Sequence, residues 1–207
     1  DNFLSRISGG AWKKNMPHAG KPPAPRSAKG DPVVYFPTCG GRIFGPSTAG
    51  EPQLGDVISE LLVRAGYAPR LPDGFEQLCC GQMLASKGMA PEADGMSEVL
   101  AAALLKASEN GRYPVIMDSS TCTTRMQKHL AGRLSIHDFH EFAHDALLPR
   151  LMIIREPGPI ALHVNCSVRK NGSDGKLKAL LAACTDSIIE PAGVTCCGFA
   201  GDRGFLV

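Results

Sequence analysis

The sequence predicts an α/β protein made of two pseudo-symmetric units, each a short parallel sheet covered by helices, with the second unit truncated. Three observations predict this. Short apolar, β-rich runs alternate with helix-period segments from residue 31 onward, the pattern of a parallel sheet covered on both faces. Cysteines fall just after these runs, at the strand ends where open α/β sheets place their ligand sites. The order then restarts near Ile160, and a second Cys-Cys-Gly triplet follows the first.

Val33-Val34-Tyr35-Phe36 reads as a strand ended by Pro37. Between Gln53 and Ala65, residues Leu54, Val57, Ile58, Leu61, Leu62 and Ala65 share one helical face, and Gly66 stops that helix. A short strand from Tyr67 to Leu71 leads into Cys79-Cys80-Gly81, and an Ala/Leu-rich helix is expected from Pro91 to Asn110. Val115-Ile116-Met117 is the next strand, delivering Asp118 to Cys122, with helices expected over residues 123–130 and 138–151. The second unit reads as a strand from Ile160 to Val164 running into Asn165-Cys166, then a helix over residues 176–183. The strand Ile188-Ile189-Glu190 and Cys196-Cys197-Gly198 follow.

Residues 1–30 hold Pro17, Pro22, Pro23 and Pro25 among Gly, Ala and Lys, a composition that reads as a flexible basic linker. The first unit is placed at residues 31–155 and the second, incomplete, at 156–207. The chain begins without Met and stops at Gly204-Phe205-Leu206-Val207, so it is expected to be a piece of a longer polypeptide.

The 207 residues are 43% hydrophobic, enough for a sizeable core, which excludes disorder throughout. The 22 Lys and Arg against 20 Asp and Glu leave a net charge of +2, too little to draw in nucleic acid or an anionic membrane. No transmembrane segment or signal peptide is expected, because no apolar run reaches the ~18 residues that cross a bilayer. A soluble, cytoplasmic protein follows, and its eight cysteines are then expected as reduced thiols that hold a metal or do redox chemistry.

Cys39 is separated from Cys79 by 39 residues, Cys80 from Cys122 by 41, and Cys166 from Cys196 by 29. Adjacent cysteines bridge each other poorly, but both thiolates can reach a multi-iron cluster, and a following Gly allows a tight turn. Soft thiolates select iron–sulfur clusters or zinc. Inert core residues and a thiol–disulfide relay are the rival readings, and the paired spacing and the absence of Cys-x-x-Cys weigh against them. Cys184, on an apolar helix outside both patterns, is expected as a buried structural thiol.

From Pro32 to its end, the sequence resembles the duplicated cysteine-rich, or CCG, domain. That domain occurs in the cysteine-rich component of heterodisulfide reductase, in glycolate oxidase iron–sulfur subunits and in the C-terminal part of FAD-linked D-lactate dehydrogenases. Three segments look most like the last branch: Asp118-Ser119-Ser120-Thr121-Cys122, His163-Val164-Asn165-Cys166-Ser167, and the run from Cys196-Cys197-Gly198-Phe199 to Phe205. The resemblance implies an iron–sulfur electron-transfer region of an oxidoreductase, with a cubane or noncubane [4Fe–4S] cluster or zinc. It implies FAD in the missing part of the polypeptide, that part's flavin domain as partner, and a cytochrome or quinone-linked acceptor. The location implied is cytoplasmic, peripheral at the inner face of the membrane.

By position, the resemblance assigns Cys39, Cys79, Cys80 and Cys122 as ligands in the first unit, and Cys166, Cys196 and Cys197 in the second. Ser119 stands where a further Cys belongs, which leaves four thiolates and keeps zinc open. The alternative reading is a zinc-stabilised scaffold without a redox role. No catalytic residue is assigned, and no flavin-binding pattern is present, so the chain alone is not expected to oxidise lactate.

Other motifs carry weaker signals. His140-Glu141-Phe142-Ala143-His144 matches H-E-x-x-H, but Phe142, Leu147 and Leu148 look like a core face, so both histidines are expected facing solvent or structurally hydrogen-bonded. His163 is expected to be hydrogen-bonded within the sheet's edge rather than tuning a cluster. The Gly-rich run 198–204 follows cysteines instead of opening a βαβ unit, which disfavours a nucleotide loop, and Arg203 has no assigned partner.

Overall fold

The computed structural model describes Arg6, residues 19–46, Thr48 and residues 50–194. Four parallel strands form the main sheet: β1 (Asp31–Phe36), β2 (Tyr67–Arg70), β3 (Val115–Met117) and β4 (Ile136–Asp138), in the order β2-β1-β3-β4. β1 is central and apolar on both faces, as a sheet covered on both sides requires. Its side chains divide by period two. Val34 and Phe36 enter one core with Leu100, Leu104, Met117 and Met126, while Val33 and Tyr35 enter another with Ile58, Leu62, Ile116 and Phe142.

The helices that cover these faces are α1 (Cys39–Ile43), α2 (Leu54–Arg64), α3 (Gln82–Ser86), α4 (Ala90–Ala107), α5 (Ser120–His129) and α6 (Phe139–Phe142). α4 and α5 cover the face that also holds Cys80 and Cys122, and α2 and α6 cover the other. Pro23 packs on Gly55 of α2. The second unit is smaller: β5 (Ile160–Ala161) pairs in parallel with β6 (Ile188–Ile189), beside α7 (Cys166–Asn171) and α8 (Asp174–Cys184). Its core is Leu162, Val164 and Val168, packed against Leu177, Leu181 and Ile188.

The single helix expected over residues 138–151 is broken. After α6, which opens on an Asp138–Glu141 capping box, the chain makes a π-helical turn at Ala143–Leu147 and a 3₁₀ turn at Leu148–Arg150. Pro149 is the cause, since it has no N–H to give the Asp145 carbonyl and its ring crowds that carbonyl. Among the described residues no helix is long and apolar enough to cross a membrane.

The units meet through side chains. Asn171 Nδ2 donates to Thr124 Oγ1 at 2.6 Å, Lys176 pairs with Asp145, and Leu180 packs on the β1–α2 core. His140 is 8% exposed, with Nδ1 3.0 Å from Asp138 Oδ1 and Nε2 2.9 Å from Ser173 Oγ. His144 Nδ1 lies 2.7 Å from Asp145 Oδ1. Both histidines of H-E-x-x-H are thus engaged structurally.

Burial pulls the pKa of His140 down, but the hydrogen bond and charge of Asp138 outweigh it, and the value is raised above the ordinary 6.5. A group with a raised folded pKa adds stability below its unfolded pKa and loses it as pH rises through the folded value. Urea denaturation should therefore show the stability gap between the native chain and His140→Gln narrowing as pH rises from about 6 to about 9. A gap independent of pH would mean that the imidazolium contributes nothing.

Candidate metal centre

The centre is built at the C-terminal end of the main sheet. Pro37 and Thr38 carry the chain out of β1, and Cys39 is the first residue of α1. Asp118 and Ser119 carry it out of β3, and Cys122 is the third residue of α5. In that first turn the helix's free N–H groups and dipole favour a thiolate. Cys79 and Cys80 come by a longer route, beginning nine residues after the end of β2 and following a 3₁₀ turn at Phe75–Gln77.

Topology brings these four thiols side by side. Cys39 is hydrogen-bonded to Cys79, Cys79 to Cys80, and Cys80 to Cys122. Cys80 and Cys122 are buried, while Cys39 and Cys79 are half-buried. The sulfurs form a chain of neighbours rather than a closed shell: among the described residues no three His, Cys, Asp or Glu groups are drawn tightly enough to hold a metal ion. The pKa shifts alternate in direction along the chain. Hydrogen bonds from Cys39 and then Cys80 lower the pKa of Cys79, with help from the Gly81 N–H and the Arg42 charge. Cys122 is lowered by its hydrogen bond from Cys80 and then by Ser119. Cys39 is raised by donating to Cys79 and by burial, and Cys80 is raised by donating to Cys122 and Cys79 and by burial. Four soft sulfur donors, two of them with lowered pKa, fit the chemistry of zinc or an iron–sulfur cluster.

Gly81, at φ +76°, sits where an added Cβ would strike the main chain of Ala93 on α4, and its N–H donates to Cys79 Sγ at 3.3 Å. The triplet's glycine is needed for this packing and for the turn into α3. Around the thiols lie residues whose roles the sequence did not signal. Asp118 accepts from the Thr38 N–H at 2.8 Å and from the Tyr35 hydroxyl at 2.9 Å, tying the end of β3 to the residue before Cys39. Burial raises the Asp118 carboxyl against the opposing effect of these bonds, and burial and then Asp118 raise the Tyr35 phenol.

A cleft of about 710 Å³ opens between the two units, lined by Gln82, Thr121, Arg125, Lys128, Ser167 and Lys170 among others. Thr121 and Ser167 are sequence neighbours of Cys122 and Cys166.

In the second unit Cys166 is the exposed first residue of α7, whose Asn165 side chain caps the Ser167 and Val168 N–H groups. Cys196 and Cys197 lie outside the described residues, as do the Gly-rich run and Arg203. Two expectations are corrected. Cys184 is half-buried rather than buried, because it ends α8 and its carbonyl receives the Glu156 N–H. The buried Nε2 of His163 has no hydrogen-bond partner among the described residues, since the two-residue strand β5 stops short of it.

A family model described as CCG, a cysteine-rich domain, matches residues 33–127 and 160–205. No curated protein and no solved structure matches the chain.

Proposed function

The chain belongs to the CCG cysteine-rich domain family, and from that premise we propose that it is the iron–sulfur electron-transfer region of an FAD-linked D-lactate, or related D-2-hydroxyacid, dehydrogenase. The observation that carries the reading is that four thiols from two helix starts and one loop lie side by side, two of them shifted towards the thiolate. Cys39, Cys79, Cys80 and Cys122 would hold the first group, and Cys166, Cys196 and Cys197 would contribute to a second. A bound iron–sulfur group supplies one-electron redox chemistry.

The residues of the chain itself prepare the place. Asp118 holds Thr38, and with it the start of α1, against the end of β3. Gly81 and Ser97 hold the Cys79-Cys80 loop on α4, with Ser97 Oγ 2.9 Å from the Cys80 carbonyl. Phe36, Phe75 and Leu100 shield the buried side of the thiols from water. Electrons would come from a flavin domain of the same polypeptide and leave to a cytochrome or quinone-linked acceptor at the inner face of the membrane. The donor count favours one further reading, a zinc-stabilised scaffold, because Ser119 leaves four thiols, the number that closes a tetrahedral zinc site.

Anaerobically prepared protein should carry iron and acid-labile sulfide and show a broad visible absorbance that bleaches with dithionite. Cys122→Ser should lose most of it. Stoichiometric zinc with no visible absorbance selects the scaffold, and a chain that binds neither metal overturns both readings.

A further inference from the structure

We propose that Arg42 and Arg125 are positioning residues of the thiol centre, two guanidinium clamps that fix the Cys79-Cys80 loop to the helices carrying Cys39 and Cys122. The inference rests on the metal-centre reading above and extends it to residues that do not touch the metal.

Each arginine follows its cysteine by three residues, in Cys39-Gly40-Gly41-Arg42 and Cys122-Thr123-Thr124-Arg125, so cysteine and arginine share a helix face. Arg42 is 8% exposed, donates to the Phe75 carbonyl and, at 2.8 Å, to the Leu78 carbonyl, the residue before Cys79. Its guanidinium lies 5.6 Å from the ring centroid of Phe36 and 6.0 Å from that of Phe75. Arg125 Nε is 2.7 Å from the Cys80 carbonyl and 2.9 Å from Ser97 Oγ, and its Nη2 pairs with Asp94 at 2.7 Å. The loop is therefore held on both sides of its cysteine pair, at residues 75 and 78 by one arginine and at residue 80 by the other.

Charge explains why arginine occupies the deeper position. Among the ion pairs of the described residues none joins a carboxylate to Arg42, so the thiols beside it are the anionic groups its buried charge faces. A centre held by four thiolates carries net negative charge whether it contains zinc or an iron–sulfur cluster, so loading strengthens the counter-charge beside Arg42. Lysine cannot reproduce the fork that grips two carbonyls. The spacing recurs in Cys166-Ser167-Val168-Arg169, where Arg169 Nε donates to the Val164 carbonyl at 3.2 Å.

The test titrates the metal-free full chain with Zn(II) against a chromophoric chelator, and with Co(II) to read the thiolate-to-metal visible bands. Arg42→Met and Arg125→Met should each weaken zinc binding by about 10- to 100-fold, the range of outer-sphere positioning groups, and should shift the cobalt bands. Arg64→Met, a change at an exposed i,i+4 pair with Glu60, should do neither. If buried Arg42→Met does not fold, Arg125→Met, at the cleft, decides. Native zinc affinity and unchanged cobalt bands in the folded variants overturn the clamp while leaving the metal centre standing. A native chain that binds no metal overturns both.

Discussion

Gly81→Ala is expected to destabilise the folded chain by about 3 kcal/mol, combining a left-handed backbone penalty of about 1–2 kcal/mol with the overpacking of a methyl group against the main chain. The φ of +76° is unfavourable for any L side chain, and the Cβ would meet the carbonyl oxygen, carbonyl carbon and Cα of Ala93 together. Backbone on both sides leaves no flexible side chain to give way. In a domain of this size the melting temperature should fall by about 6–12 °C. Gly95→Ala is the matched control. Gly95 lies in the exposed interior of α4 with nothing within 4 Å of an added Cβ, so alanine there should stabilise by about 0.5–1 kcal/mol. Equal melting temperatures for the two variants would show that the approach of Gly81 to α4 is unimportant.

Asp118→Ala is expected to destabilise by about 3 kcal/mol, because it leaves two buried donors unpaired at about 1–3 kcal/mol each. Those donors are the Thr38 N–H and the Tyr35 hydroxyl, on residues 1% and 0% exposed. Asp118→Asn should recover about half of the loss, since its carbonyl can accept from Thr38 while its amide, donating to the Tyr35 oxygen, leaves the phenol proton unpaired. Chemical denaturation of the three proteins measures this. If alanine and asparagine are equally destabilised, the missing quantity is the carboxylate charge rather than the hydrogen bonds.

The main sheet was legible because its central strand carries its own signal. Val33 to Phe36 can be buried on both faces in only a few architectures, and the apolar face of α2 stops at a glycine. β4 and the helices α1, α3 and α7 left no such trace. At three to six residues they are too short to establish a period, and their neighbours rather than their propensities hold them. The break after α6 was signalled only by Pro149, whose effect reaches back to residue 145.

Residue types and spacing marked Cys39, Cys79, Cys80 and Cys122 as a group, because paired thiols at matched separations are a chemical pattern that needs no coordinates. Only the tertiary structure decided how that set is arranged. Cys39 and Cys122 come to the same end of the sheet because β1 and β3 are adjacent and parallel, while the Cys79-Cys80 loop returns from β2 on the far side of β1 and links them. The partners of the thiols, Arg42, Asp118, Gly81 and Ser97, were decided there as well. Most act on residues distant in sequence, through a carbonyl, an N–H or a close approach of backbone, and such contacts exist only once the sheet has brought its strand ends together.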